Sequence, residues 1–317
     1  MASPDRSRTL LRRMALLLTV LVLAITSLSA YIRLSRAGLS CADWPQCYGE
    51  RLRQAQQGLA STAGDSDAVA AARFAHRIVA SAALLIIVAM VVVCFSARPV
   101  RWAQGGAALA LLALALGLAV LGRWSSDARV PAVALGNLLG GFAMLALCSR
   151  LVLPAGAALA PIVRVWALLC VLLLAAQIAL GGLVSASFAA TSCGGFADCL
   201  SAARGLPWSA LDPWREPALG GAPPVNPSGA LAQVLHRIGA LALLVAIAPL
   251  ALAAWRHRRR LAGALLLALL ACTIGLGIAM ASAGPTLAMA LAHNLAAALL
   301  LTTLFELSRG PATADQR

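Results

Sequence analysis

The sequence predicts an all-α integral membrane protein: eight transmembrane helices forming two tandem four-helix bundles, with both termini inside. Three observations carry this. Hydrophobic residues are 61% of the 317 and charged ones only 11%, too few to furnish a soluble domain's surface. Eight apolar stretches approach the roughly 20 residues that cross a hydrocarbon core as a helix, and open strands would leave backbone groups unsatisfied in lipid. The halves also repeat. Leu39-Ser40-Cys41-Ala42-Asp43-Trp44-Pro45-Gln46-Cys47 is answered by Thr191-Ser192-Cys193-Gly194-Gly195-Phe196-Ala197-Asp198-Cys199, and Phe74-Ala75-His76-Arg77-Ile78 by Val234-Leu235-His236-Arg237-Ile238.

In order, a cytoplasmic tail (1–13) leads into a first span at 14–32. Residues 1–30 also have the outline of a signal peptide, with small residues at Ser27, Ser29 and Ala30. The repeat matches this stretch to the fifth helix around Leu168 to Val184, so it is expected to remain a span. Spans at 69–95, 103–122 and 131–148 complete an N-terminal half, 14–148. A cytoplasmic linker (149–161) precedes a C-terminal half, 162–307, with spans at 162–186, 229–254, 261–282 and 286–307, then a tail, 308–317. The Gly-, Pro- and polar-rich linkers around 54–67 and 205–228 read as outer lids or tethers. Gly105, Gly106, Gly117, Gly122, Gly275 and Gly277 permit close helix approach, within the bundle or in a homo-oligomer.

All 25 basic residues are Arg. With the N-terminus inside, that face collects Arg6, Arg8, Arg12, Arg13, the Arg256 to Arg260 cluster and Arg317, giving an N-in, C-in topology with both cysteine loops outside. The net charge of +14 is accounted for by this rule, and no nucleic-acid partner is implied. Outside is disulfide-permissive, so Cys41–Cys47 and Cys193–Cys199 are the expected bridges. A redox or metal role is the alternative, although five intervening residues is neither a zinc nor a thioredoxin spacing. Cys94, Cys148, Cys170 and Cys272 lie within spans and read as buried packing residues.

Of four histidines, His257 sits in a cytoplasmic Arg cluster, while His76, His236 and His293 lie inside helices, where an ionisable group is a functional candidate. The competing reading is a packing histidine bonded to a carbonyl. All three lie about 12 Å below their outer helix ends at 1.5 Å per residue. Equal depth suits two facing imidazoles holding one metal macrocycle, and His236 with His293 fits that plan. Arg77 and Arg237 follow their histidines and are placed either to meet propionates or to snorkel to the interface.

These residues resemble the heme A synthase family of bacterial and mitochondrial membrane enzymes. The likeness rests on Ile32 to Cys47 (IRLSRAGLSCADWPQC), Gly181-Gly182-Leu183-Val184-Ser185, His236-Arg237-Ile238-Gly239-Ala240 and His293-Asn294-Leu295-Ala296-Ala297. The resemblance implies a heme b held by His236 and His293, heme O received in the first half at His76, and oxidation of a porphyrin methyl to a formyl. It also implies cytochrome oxidase biogenesis, in a bacterial inner membrane with periplasmic cysteine loops, and heme O synthase and oxidase assembly factors as partners. Two positions depart from the family pattern. The usual fourth histidine is matched by Asn137, or by Gly136 if the internal repeat is aligned directly, and the catalytic glutamate three residues before the first histidine by Arg73. A guanidinium cannot accept a proton, although it can pair with a propionate. No acid inside helices two to seven replaces the glutamate, and Glu306 lies at the inner end of helix eight. An active enzyme with a rearranged first pocket is therefore expected, with a catalytically degenerate heme b carrier or assembly partner as the alternative. An unrelated electron carrier is disfavoured, since all three candidate ligands share one depth.

Overall fold

The computed structural model describes residues 4–59, 65–124, 129–153 and 159–309. Arg317, most of the 308–317 tail, part of the 149–161 linker and residues 60–64 of the first outer linker lie outside them. Among the described residues there are ten α-helices and no strand: α1 (Pro4–Ala37), α2 (Glu50–Gln56), α3 (Asp67–Ser96), α4 (Trp102–Trp124), α5 (Pro131–Val152), α6 (Pro161–Ala186), α7 (Phe196–Ala203), α8 (Ala230–Arg256), α9 (Arg260–Ala283) and α10 (Leu287–Ser308). Eight of these, all but α2 and α7, are long and apolar enough to cross a membrane. The protein is a multi-pass membrane protein, as its sequence predicts.

Local chemistry sets the ends. Ser66 and Thr286 cap α3 and α10 by accepting from the backbone N–H groups of Val69 and Met289. Pro131 and Pro161 start α5 and α6, where a missing N–H costs nothing. The first helix overruns its expected 14–32 at both ends, because its polar flanks remain good helix formers and nothing breaks it before Gly38. Gly38 has φ +99°, and a Cβ there would lie 2.6 Å from the Cys47 carbonyl oxygen, so this turn demands glycine.

Helices α1, α3, α4 and α5 pack in a ring in which α3 and α5 are diagonal, each lying on α1 and α4. Helices α6, α8, α9 and α10 pack likewise, with α8 and α10 diagonal between α6 and α9. Helix α5 joins the rings by packing on α6 and α10. The core runs through both, from Leu18, Ile87 and Phe142 to Ile247, Leu266 and Leu304. Exposed apolar residues such as Leu85, Val92, Leu172, Val245 and Ile278 face outward, as a lipid-solvated surface requires. Cys94, Cys148 and Cys170 are buried. Cys272 is not. It lies exposed on α9, correcting the expectation of four buried cysteines; a small apolar side chain is equally at home against lipid.

Both cysteine loops hold disulfides, Cys41–Cys47 and Cys193–Cys199. The loops also interlock. Tyr48 is buried edge-on against Phe188, and Gln56 donates to the Pro217 carbonyl at 2.8 Å. The Ala132 N–H at the head of α5 donates to Pro213 at 2.8 Å. The 205–228 linker is thus packed onto both rings, since it also lies against α8. Beneath the loops Arg33 donates to Ser185 at 2.6 Å, and at the opposite end of the helices Ser149 donates to Glu306 at 2.7 Å, with Arg309 paired to the same carboxylate.

Candidate functional site

His236 lies two turns into α8 and His293 two turns into α10, and the diagonal of the second ring brings them together. Their ring centroids are 6.4 Å apart, with planes inclined by 64°. A metal–nitrogen bond of about 2.0 Å, with roughly 1.2 Å more from nitrogen to ring centre, separates the centroids of a bis-imidazole metal by about 6.4 Å. The spacing therefore suits one metal between the rings. The ring nitrogens are prepared unequally. His293 Nδ1 lies 2.9 Å from the Thr273 carbonyl oxygen. A carbonyl only accepts, so Nδ1 carries the proton and Nε2 keeps the lone pair a metal needs. His236 Nδ1 is buried and finds no hydrogen-bond partner among the described residues.

Glycines on the flanking helices face both rings, and the one against His236 is required for space. A Cβ on Gly181 of α6 would lie 2.7 Å from His236 Cε1, and one on Gly277 of α9 would lie 3.6 Å from His293 Cε1. One turn before Gly181, the Gln177 amide donates to the His236 carbonyl at 2.6 Å. Its side chain occupies the notch left by Gly239, where a Cβ would lie 2.1 Å from Gln177 Oε1. Two glycine notches thus lock α6 and α8 together at His236. Gly277, expected only as a close-packing residue, and Gln177 and Thr273, unremarked in the sequence, belong to this site. Nothing in one-dimensional spacing marks a carbonyl that accepts from an imidazole N–H.

The first ring places His76 on α3 and Asn137 on α5, both half-buried, across its own diagonal. Gly136 and Gly140 beside Asn137 are filled by Leu121 and Leu118 of α4. Arg73, one turn before His76 on α3, is ion-paired with Asp65 at 2.5 Å. Asp65 is bound as well by Arg51 at 2.7 Å and Arg36 at 3.4 Å. Partial burial alone would raise its pKa, but the Arg51 hydrogen bond and the three guanidiniums together hold the carboxyl below the usual range. Sequence reasoning searched the helices for an acid and missed this one, because it stands just before α3 in a polar loop. Arg77 is exposed. Both terminal nitrogens of Arg237 donate to the Gly194 carbonyl at 3.2 Å, so it braces the second cysteine loop.

The match to known proteins agrees with this framework. Residues 12–305 match the family model described as cytochrome oxidase assembly protein, COX15-CtaA. The chain is also similar to the heme A synthase of Shewanella oneidensis, 31% identical over 93% of this chain and 94% of that protein. A match over nearly all eight spans, enclosing both histidine-bearing diagonals, places the chain in the COX15-CtaA family of cytochrome oxidase assembly proteins.

Proposed function

We propose that this protein is a heme A synthase-type oxidoreductase that converts heme O to heme A by successive hydroxylation of one porphyrin methyl group. The observation that carries the reading is the His236–His293 pair, 6.4 Å apart across a helix diagonal. On this reading the two residues hold a heme b in the second half, and His76 receives the substrate iron in the first. Bound heme supplies one-electron chemistry through its iron. The chain's part is to orient and to exclude. The Thr273 carbonyl fixes the His293 tautomer, Gly181 leaves space for the His236 ring, and the interlocked loops cover the outer face. The two rings are read as tandem halves in an N-in, C-in topology in a bacterial inner membrane, with both disulfides periplasmic. Heme O synthase and oxidase assembly factors are the expected partners.

A second reading has its own support. Arg73 is committed to Asp65, and Asn137 offers no imidazole, which favours a heme b-binding relative whose first pocket has lost its chemistry. Pigment analysis separates the two. Membranes of a strain that makes heme O but lacks its own heme A synthase are analysed with and without this protein. Heme A or its hydroxylated precursor supports the enzyme. Bound heme b with neither product supports the degenerate reading, and Arg73→Glu with Asn137→His is then expected to restore output.

A further inference from the structure

We propose that Arg77 of α3 and Arg123 of α4 form a headgroup site for an anionic phospholipid whose acyl chains lie along the exposed apolar faces of those two helices, an inference independent of the heme reading. Both arginines are exposed. Among the described residues neither has a hydrogen-bond or ion-pair partner, whereas Arg73 and Arg129 at the same end of the helices are paired with Asp65 and Glu216. The second ring uses the equivalent charge differently. Arg237, which follows His236 as Arg77 follows His76, spends both terminal nitrogens on the Gly194 carbonyl of the second cysteine loop.

Packing sets the two arginines at one height. Helices α3 and α4 are antiparallel neighbours joined by residues 97–101, and a Cβ on Gly105 would lie 2.9 Å from the Phe95 ring and 3.4 Å from Cys94 Cβ. Phe95 and Gly105 are therefore level. Arg77 stands 18 residues from Phe95 along α3, and Arg123 stands 18 residues from Gly105 along α4. At 1.5 Å per residue both backbones lie about 27 Å from that level, close to the roughly 30 Å of a hydrocarbon core. Trp102, 69% exposed and edge-on to Phe95, marks the opposite boundary, where aromatic side chains gather. Helix α4 ends one residue after Arg123, as a chain leaving lipid would.

Each arginine also tops a lipid-facing stripe. On α3 the exposed Ile78, Leu85 and Val92 recur every seven residues from the Arg77 level, and on α4 the exposed Leu109 and Leu116 lead at the same spacing to Arg123. Packed helix axes are about 8–10 Å apart, so the two cations flank one shallow apolar groove. An unpaired cation at the edge of hydrocarbon is costly until an anion meets it, and the guanidinium fork fits phosphate oxygens bidentately. The ligand that satisfies both features is a phosphodiester without a compensating ammonium, carried on long apolar chains, as in phosphatidylglycerol.

The test uses two lipids that differ in headgroup alone. Native mass spectrometry of the full-length protein in detergent counts bound lipid during titration with dioleoylphosphatidylglycerol or dioleoylphosphatidylcholine, and wild type is expected to prefer the former. Arg77→Gln and Arg123→Gln are each expected to weaken phosphatidylglycerol about tenfold, one charge-assisted hydrogen bond's worth, bringing it toward the phosphatidylcholine value. Arg204→Gln removes an exposed charge elsewhere at the same end and should change neither lipid. Arg77→Lys and Arg123→Lys keep the charge and should keep most of the affinity, which separates lost charge from lost folding. An equal loss with Arg204→Gln, or a preference that survives both glutamine variants, overturns the proposal. Displacement of the lipid by excess inorganic phosphate also overturns it, making the pair a free-anion site. Heme content is read on the same samples. Arg77→Gln protein that sheds heme but keeps its lipid makes Arg77 a porphyrin contact and overturns the proposal, whereas heme-free wild type that still selects phosphatidylglycerol supports the lipid site and counts only against the heme reading.

Discussion

Replacing Gly181 by alanine tests the second-half site through one methyl group. The added Cβ would lie 2.7 Å from His236 Cε1 and 3.3 Å from each ring nitrogen, where ordinary contact begins at 3.4 Å. The imidazole must retreat by the difference, about 0.7 Å, while metal–ligand distances hold to about 0.2 Å. Retreat is hard, because the Gln177 amide clamps the His236 carbonyl at 2.6 Å. Overpacking of this kind costs about 1–3 kcal/mol, so heme retention should fall roughly 5- to 150-fold. Helix propensity runs the other way, as alanine is favoured over glycine by about 1 kcal/mol, so helical content should survive. The assay is heme stoichiometry and the low-spin visible spectrum of purified protein, with circular dichroism as the folding check. Gly275→Ala on α9 is the control, since nothing lies within 4 Å of a Cβ there, and it should behave as wild type. A folded Gly181→Ala protein with full heme and an unaltered spectrum would refute the placement of His236 against α6.

His236→Ala and His293→Ala should each abolish the b-type spectrum, and an unchanged spectrum in either would sink the cofactor assignment. Gly239→Ala should displace Gln177, whose Oε1 lies 2.1 Å from the new Cβ, and lower the thermal unfolding midpoint; an unmoved midpoint would show that this notch is not close-packed. Asp65 is held below its ordinary pKa of 3.8, so its contribution is complete above that value and is lost as pH falls through the lower, folded one. Amide protection around α2 and the start of α3, measured against the intrinsic exchange rate, should accordingly fall in acid below about pH 4 but not between pH 5 and 7. Asp65→Asn should remove that acid response; its persistence would place the titrating group elsewhere.

How much was legible in the sequence varied with the range of the interaction. Eight spans follow from composition and run length, because lipid forces each apolar segment to satisfy its own backbone, a local requirement written in consecutive residues. The cysteine pairs were legible for the same reason, each pair being only six positions apart. His236 and His293 were named as partners from depth alone, since both stand two turns into helices entering from one side. What makes them a site was not legible. The diagonal of α8 and α10, the Thr273 carbonyl behind His293 and the glycine notches against His236 depend on which faces meet, and near-uniform apolarity around these helices leaves face choice to packing. Cys272 was misread on the same account, as periodicity cannot tell a lipid-facing position from a buried one here. Asp65 shows the limit most clearly. Its polar loop advertised no chemistry, and only the folding of α1, α2 and α3 onto one another brings three distant arginines to its carboxylate, because electrostatic partnership is set by distance in space.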